Sequence, residues 1–430
     1  MTGEITEHAR RTAVEIDGAR GEGGGQILRT SLALALITGR PLRMRQIRAG
    51  RAKPGLRRQH LACVEAAARL GHAEVRGATL GSQDLELVPG AITGGDLLID
   101  IGTAGSTTLV IQTILVPAIA AGLPLRAVIR GGTHNPLAPP FEFLERVYLP
   151  HLRAMGADVT VTLDRHGFAS SGAVATQGGP SGDRKAWHRP RAERGQEPSG
   201  TGGQRTTEPR HRARGDDHGP LEPPPPVSRD DARGGAADRD AVRDPRRGGD
   251  HGQLTLTVGA CAALRPLEVI EAGPVTARRA TAMLARLPTH VADRELAVVR
   301  DRLGFAATEC EIRDVRDGGP ANVLLLEIER GPHRELVSAF GDKGTRAELV
   351  ARRACDELQA FITASVPIGG HLADQLLLPL AVAGGGRFRS APLSLHATTN
   401  IETIQQFLDV AIRVEPDGDA VVVTVGSDHL

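Results

Sequence analysis

One pattern recurs three times along this chain and constrains its fold more than any other feature. It runs glycine-containing turn, apolar helix, glycine, strand, loop, second helix, polar turn, strand. The first copy opens at Gly21-Glu-Gly-Gly-Gly-Gln. It predicts a helix over Ile27–Thr38, a strand around Leu42–Ile47 and a helix over about Arg57–Leu70. The second opens at Gly102-Thr-Ala-Gly-Ser, with helix Thr108–Ala120, strand Leu125–Ile129, helix Phe141–Met155 and strand Asp158–Leu163. The third opens at Gly369-Gly-His, with helix Leu372–Ala383, a strand near Phe388, helix Ile401–Leu408 and strands Ala411–Val414 and Ala420–Val425. Helical and strand periodicities alternating in this order specify an α/β fold built from repeated units.

Two segments interrupt the series. Residues 274–363 read as a small inserted α/β domain: helices Ala280–Arg286 and Asp293–Arg302, strands near Glu311–Val315, Asn322–Ile328 and Glu335–Phe340, and a closing helix Arg346–Ile362. Residues 170–250 hold only Val174, Leu221, Val227 and Val242 among Val, Leu and Ile, together with Pro223–Pro226 and the sole tryptophan, Trp187. No core can be assembled from such a stretch. Two readings stay open: a disordered insertion that contacts RNA, or an out-of-frame translation of GC-rich codons. The expected layout is 13–168 for the first two copies, 169–250 for the biased insertion, 251–273 for return strands, 274–363 for the inserted domain and 364–427 for the third copy.

Hydrophobic residues make up 40 % of the chain but aromatics only 2 %, so the core is aliphatic. A net charge of +1 excludes a general polycation and confines any nucleic-acid affinity to local patches. Cys63, Cys261, Cys310 and Cys355 lack C-x-x-C spacing, which suits a reducing cytoplasm rather than a zinc site or disulfide framework. No apolar leader or membrane-length run occurs, so a soluble, untargeted protein is expected.

The chemistry-bearing residues fall at the turns. Adjacent glycines at 23–25 let backbone amides approach a ligand, with Glu22 placed to hold a metal and Gln26 and Arg29 on the following helical turn. The loop is neither a Walker A sequence nor a dinucleotide fingerprint. Arg48, Arg51, Lys53, Arg57 and Arg58 crowd the loop before the next helix, where guanidinium groups suit bidentate phosphate binding. Gln112 sits on an apolar helix where its amide needs a partner. His371 and Asp374 are three apart on one helix face, and helix capping accounts equally well for their spacing. His396 precedes a Thr-Thr-Asn run that reads as a helix N-terminus at Ile401. A neutral imidazole there is a competent nucleophile toward phosphorus; a packing or capping histidine is the plain alternative.

Taken together, Gly-Glu-Gly-Gly-Gly-Gln-Ile-Leu-Arg, Ile-Arg-Ala-Gly-Arg-Ala-Lys-Pro-Gly-Leu, Gly-Gly-Thr-His-Asn-Pro-Leu-Ala-Pro-Pro, Leu-Ala-Asp-Gln-Leu-Leu-Leu-Pro and the His396 segment resemble the RNA 3′-terminal phosphate cyclase family. The likeness spans about 13–168 and 252–427. It implies three α/β repeats of the cyclase and enolpyruvate-transferase type plus a small inserted domain. It also implies ATP-dependent conversion of RNA 3′-phosphate ends to 2′,3′-cyclic phosphates, releasing AMP and pyrophosphate. By resemblance, His396 is the adenylylated nucleophile and Glu22 the ligand of a divalent metal, Mg or Mn. Gln26, Arg29, Arg48, Arg51 and Gln59 line the phosphate and RNA site, while Gln112, His371, Leu372, Ala373, Asp374 and Gln375 contact ATP.

Three departures stand out. His371 replaces a usual tyrosine, and His134 a usual acid. The family's compact His-Gly-Phe turn is split here between Phe168 and Gly248. Loop closure grows only logarithmically in cost, so strands flanking the split are expected to pair. A non-catalytic RNA-binding or ribosome-assembly relative, a carboxyvinyl transferase and an inactive product of a disrupted frame are the competing readings.

Overall fold

The computed structural model describes residues 13–168 and 251–426; the segment 169–250 lies outside them, so neither reading of it is decided. In chain order the elements are β1 (Val14–Asp17), α1 (Gly25–Thr38), β2 (Leu42–Arg45), α2 (Arg58–Leu70), β3 (Glu74–Arg76), β4 (Leu85–Val88), β5 (Gly95–Asp100), α3 (Thr107–Ala121) and β6 (Leu125–Gly131). Then come α4, in three parts (Phe141–Phe143, the π turn Leu144–Tyr148 and Leu149–Ala154), β7 (Val159–Arg165), β8 (Gly252–Val258), β9 (Leu267–Val269), β10 (Ala277–Ala285), α5 (His290–Leu303), a 3₁₀ turn (Ala307–Glu309) and β11 (Cys310–Asp314). The chain closes with β12 (Ala321–Arg330), β13 (His333–Phe340), α6 (Ala347–Ala364), α7 (Gly370–Val382), β14 (Gly385–Ser390), α8 (Leu395–Phe407), β15 (Ile412–Asp417) and β16 (Ala420–Gly426).

The strands form four four-stranded sheets. Three share one order, β1-β2-β4-β3, β5-β6-β8-β7 and β9-β14-β16-β15, each with one parallel pair followed by two antiparallel pairs. The fourth, β11-β10-β12-β13, is ordered differently and lies in sequence between β9 and β14. Helix α1 packs against both α3 and α8, α2 against α3, and α7 against α8, so the helices that carry the candidate site meet through α1. The strands beside the split pair closely: Val159 opposes Val258, Leu163 opposes Leu254 and Arg165 opposes Gln253. That expectation is met.

Three expectations need correction. The segment expected as helix Ala280–Arg286 is the central strand β10. Its alanines, arginines, methionine and leucine all favour helix. Both faces are buried, however: Ala280, Ala282 and Leu284 pack with α5 and α6, while Met283 and Ala285 join the larger core. Two-sided burial erases the alternation by which a strand is read. The helix expected without a break over Phe141–Met155 contains a π turn, in which the Leu149 N–H donates to Leu144 five residues back. Pro150 follows at once and has no N–H for an ordinary helical bond. Finally, α8 starts at Leu395 instead of Ile401, because the Ser394 hydroxyl accepts from the Ala397 N–H at 3.3 Å. His396 therefore stands inside the first turn, and Thr399 and Asn400 are helical residues.

Candidate active site

The glycine turn before α1 is shaped by what fills it. Gly21 has φ +57°, and a Cβ there would overlap the Thr399 hydroxyl. A Cβ on Gly25 would sit 2.7 Å from His60 Nε2 and 2.9 Å from Arg29 Nη1. Glycine is needed because side chains from α1, α2 and α8 already occupy the space.

Glu22 lies at the centre of the turn. Its carboxylate pairs with Arg51, whose Nη2 also donates to the Glu22 carbonyl at 3.0 Å. Glu22 Oε2 lies 3.6 Å from His396 Nδ1, and the Glu22 N–H donates to Thr399 Oγ1 at 3.2 Å. Residues from the first loop, the second loop and α8, distant in sequence, thus converge on one carboxylate. A carboxylate 3.6 Å from Nδ1 sets negative charge against that edge of the ring. The N-terminal turn of α8 favours anions near this ring.

Below them lies a buried polar layer. Arg29 is half-buried; its Nη2 donates to Gln26 Oε1 at 2.6 Å, while its buried Nε meets no hydrogen-bond acceptor among the described residues. Burial lowers its pKa, opposed by the charges of Cys63, Glu22 and Asp374. Asp374 is pushed up to about 6, chiefly by burial, against the stabilising pull of Arg29 and Asn400. Asn400 Nδ2 donates to the Asp374 carbonyl and to Oδ1, each at 3.0 Å, and its Oδ1 accepts from Thr30 at 2.8 Å. His60 is held near 3 by burial and by Arg48, Arg29 and Arg57, so it stays neutral, and its Nδ1 accepts the Arg57 N–H at 3.1 Å.

The sequence candidates divide accordingly. Glu22, Arg29, Arg51, Asp374 and His396 come together, and Gln26 joins them through Arg29. Arg48 has φ +54° and is largely buried; its Nη1 donates to the carbonyls of Lys53 and Gly55 at 2.9 and 3.0 Å, so it shapes the loop beside His60. Gln59 Oε1 accepts the Ser106 N–H at 2.7 Å and ties the second repeat's turn to α2. Gln112 is half-buried on α3. Leu372 and Ala373 are core side chains, leaving only their backbone to meet a ligand. Gln375 Oε1 is buried with no hydrogen-bond partner among the described residues, and His371 meets the Phe143 ring edge-on at 6.2 Å. His134 is not in this group: its Nε2 lies 2.9 Å from Glu142 Oε2 and its ring stacks near His166 and Phe168. His60, Thr30, Thr399 and Asn400 were missed as site residues. Asn400 follows two threonines in sequence, a run that reads as a helix N-terminus and so hides its place inside α8.

Among the described residues no three His, Cys, Asp or Glu side chains cluster as a metal cage, and no helix is long and apolar enough to cross a membrane. A family model described as RNA 3′-terminal phosphate cyclase matches residues 20–414. Among curated proteins of that name, the one from Ectopseudomonas mendocina is 41 % identical over 402 residues, 93 % of this chain and 94 % of that protein. That from Koribacter versatilis is 36 % identical over 405 residues, 94 % and 92 % of the two chains. That from Salmonella agona is 37 % identical over 413 residues, 96 % and 97 %.

Proposed function

Because the chain belongs to the RNA 3′-terminal phosphate cyclase family, we propose that it uses ATP to convert RNA 3′-phosphate ends into 2′,3′-cyclic phosphates through a histidine–AMP intermediate on His396. One observation carries the reading: Glu22 Oε2 faces His396 Nδ1 at 3.6 Å in the first turn of α8, with Arg51 on the same carboxylate. Nε2 attacks the α-phosphorus, the bond to pyrophosphate breaks, and a phosphoramidate forms. An oxygen of the RNA 3′-phosphate then takes the AMP from Nε2. The neighbouring 2′-hydroxyl attacks that phosphorus, and AMP leaves.

Each residue has a part in this scheme. Glu22 keeps the ring oriented and stabilises the charge that develops on it as Nε2 bonds to phosphorus. Arg51 and Arg29 face the phosphates; the Nε donor of Arg29, buried without an acceptor, is satisfied by a phosphate oxygen. Gln375 and Asp374 face the nucleotide from α7, with His371 stacking on adenine. Glu22 supplies one oxygen ligand, the donor type Mg or Mn takes alongside phosphate oxygens, so a shared metal fits where an all-protein cage does not. When bound, the ion neutralises phosphate charge.

We also read the three like-ordered sheets as copies of one unit, with β10–β13 and α5–α6 as an insertion, and the cytoplasm as the place of action. The non-catalytic and transferase readings give the Glu22–His396 pair nothing to do. Incubating the protein with ATP and an end-labelled RNA 3′-phosphate tests the proposal. Phosphatase-resistant cyclic ends should accumulate with AMP, and ends that stay phosphatase-sensitive would refute it.

A further inference from the structure

A cavity of about 530 Å³ opens between α4 and the β12–β13 hairpin, apart from the Glu22–His396 pair. Four arginines line it: Arg146 and Arg153 from α4, Arg279 from β10 and Arg334 from β13. Two of them are already matched. Arg146 pairs with Glu145 at 3.3 Å and Glu327 at 3.2 Å, and Arg334 with Glu327 at 3.4 Å and with Glu329. Arg153 and Arg279 are exposed and pair with no carboxylate among the described residues. Among the described residues, Arg153 commits only its Nε, to the Val159 carbonyl at 2.9 Å. The acids Glu145 and Glu329 therefore fix two walls, while two guanidinium groups present open forks from opposite sides. His333 adds an aromatic surface, its ring stacked on His151 at 5.6 Å.

We propose that this cavity is a second phosphate site, in which Arg153 and Arg279 hold phosphodiester groups of the RNA strand upstream of the reacting 3′ end; the proposal rests on the cyclase reading above. Forked donors with uncompensated charge select phosphate oxygens, and an imidazole wall suits an unstacked base better than an acidic peptide. The position fits a continuing strand. Arg146 lies one turn beyond Phe143, which touches His371 on the nucleotide helix, and Arg153 lies on the order of 15 Å along α4 from Phe143.

The test measures direct binding of the full chain to a long single-stranded RNA 3′-phosphate and to a dinucleoside 3′-phosphate. In the doubly reversed variant Arg153→Glu/Arg279→Glu, affinity for the long RNA should fall roughly tenfold or more, with the short substrate unaffected. In Arg153→Gln/Arg279→Gln the salt slope for long RNA should drop by about 1.4, and the Arg153→Lys/Arg279→Lys pair should restore the slope but not the full affinity, because an ammonium lacks the fork. Formation of covalent AMP from ATP alone should be unchanged in every variant, which also reports intact folding. Equal losses for both RNA lengths, or no loss for either, would overturn the proposal. So would a variant that loses competition by free inorganic phosphate or binding of an acidic peptide while RNA affinity stays the same. A wild-type chain that forms no covalent AMP refutes the cyclase reading instead, and RNA affinity still decides the cavity.

Discussion

Replacing Asn400 by alanine removes a side chain that ties three helices together under the candidate site, and its effect can be worked out from the contacts. Asn400 is 3 % exposed and joins three elements: it donates twice to Asp374 on α7 and accepts from Thr30 on α1 while sitting on α8. Alanine leaves the Asp374 groups and the Thr30 hydroxyl buried without these partners. At about 1–3 kcal/mol for each buried group so stranded, the expected loss is about 3 kcal/mol or more. The loss should also depend on pH. Asp374 titrates near 6 in the folded chain, above its ordinary value of 3.8. Above that pH it is ionised, and removing its donor strands a charge; below it, the variant strands only a neutral carboxyl. Urea denaturation of both proteins between about pH 5 and pH 8 should show a stability gap that widens as pH rises. A gap under about 1 kcal/mol, or one that is flat with pH, would refute the account of this layer.

Further outcomes follow from the same geometry. Gly25→Ala should cost about 1–3 kcal/mol and lower ATP-dependent activity, since the new Cβ must displace the buried His60 or Arg29; unchanged denaturation and turnover would contradict it. His60 is held near 3 in the folded chain against an ordinary value of 6.5, so its contribution, up to about 5 kcal/mol, is present above pH 6.5 and lost as pH falls toward 3. His60→Gln should therefore flatten the decline in urea midpoint on acidification relative to wild type. Burial alone would raise Glu142, but the His134 ring and its hydrogen bond bring it to about 2, so His134→Ala should destabilise the fold by about 3–5 kcal/mol at neutral pH. Adding Glu142→Gln should recover part of that loss in thermal melts.

The sequence was readable where a long apolar stretch ends at a glycine. Helices α1, α2, α3 and α7 carry apolar faces or runs and glycine boundaries, and each lies within a few residues of its expected span. It misled where packing overrode local signals, as in β10, which carries helix-forming residues between two cores. Of the site, residues whose chemistry is visible in type and spacing were legible: Glu22, Arg29, Arg51, Asp374 and His396. Asn400 and Thr399 were not, because their roles come from contacts 370 and 377 residues away in sequence, to Thr30 and Glu22. Arg48 shows what spacing leaves out: its loop is dense in cations, and its Nη1 donates to the carbonyls of its own turn.

The most direct test of the central claim is whether AMP becomes covalently attached to His396. Incubation with α-labelled ATP and Mg or Mn, followed by peptide mapping, should place an acid-labile, alkali-stable label on the peptide containing His396. The label should be absent in His396→Ala and chased by an RNA 3′-phosphate. Label elsewhere, or none on a folded wild-type chain, would contradict the account.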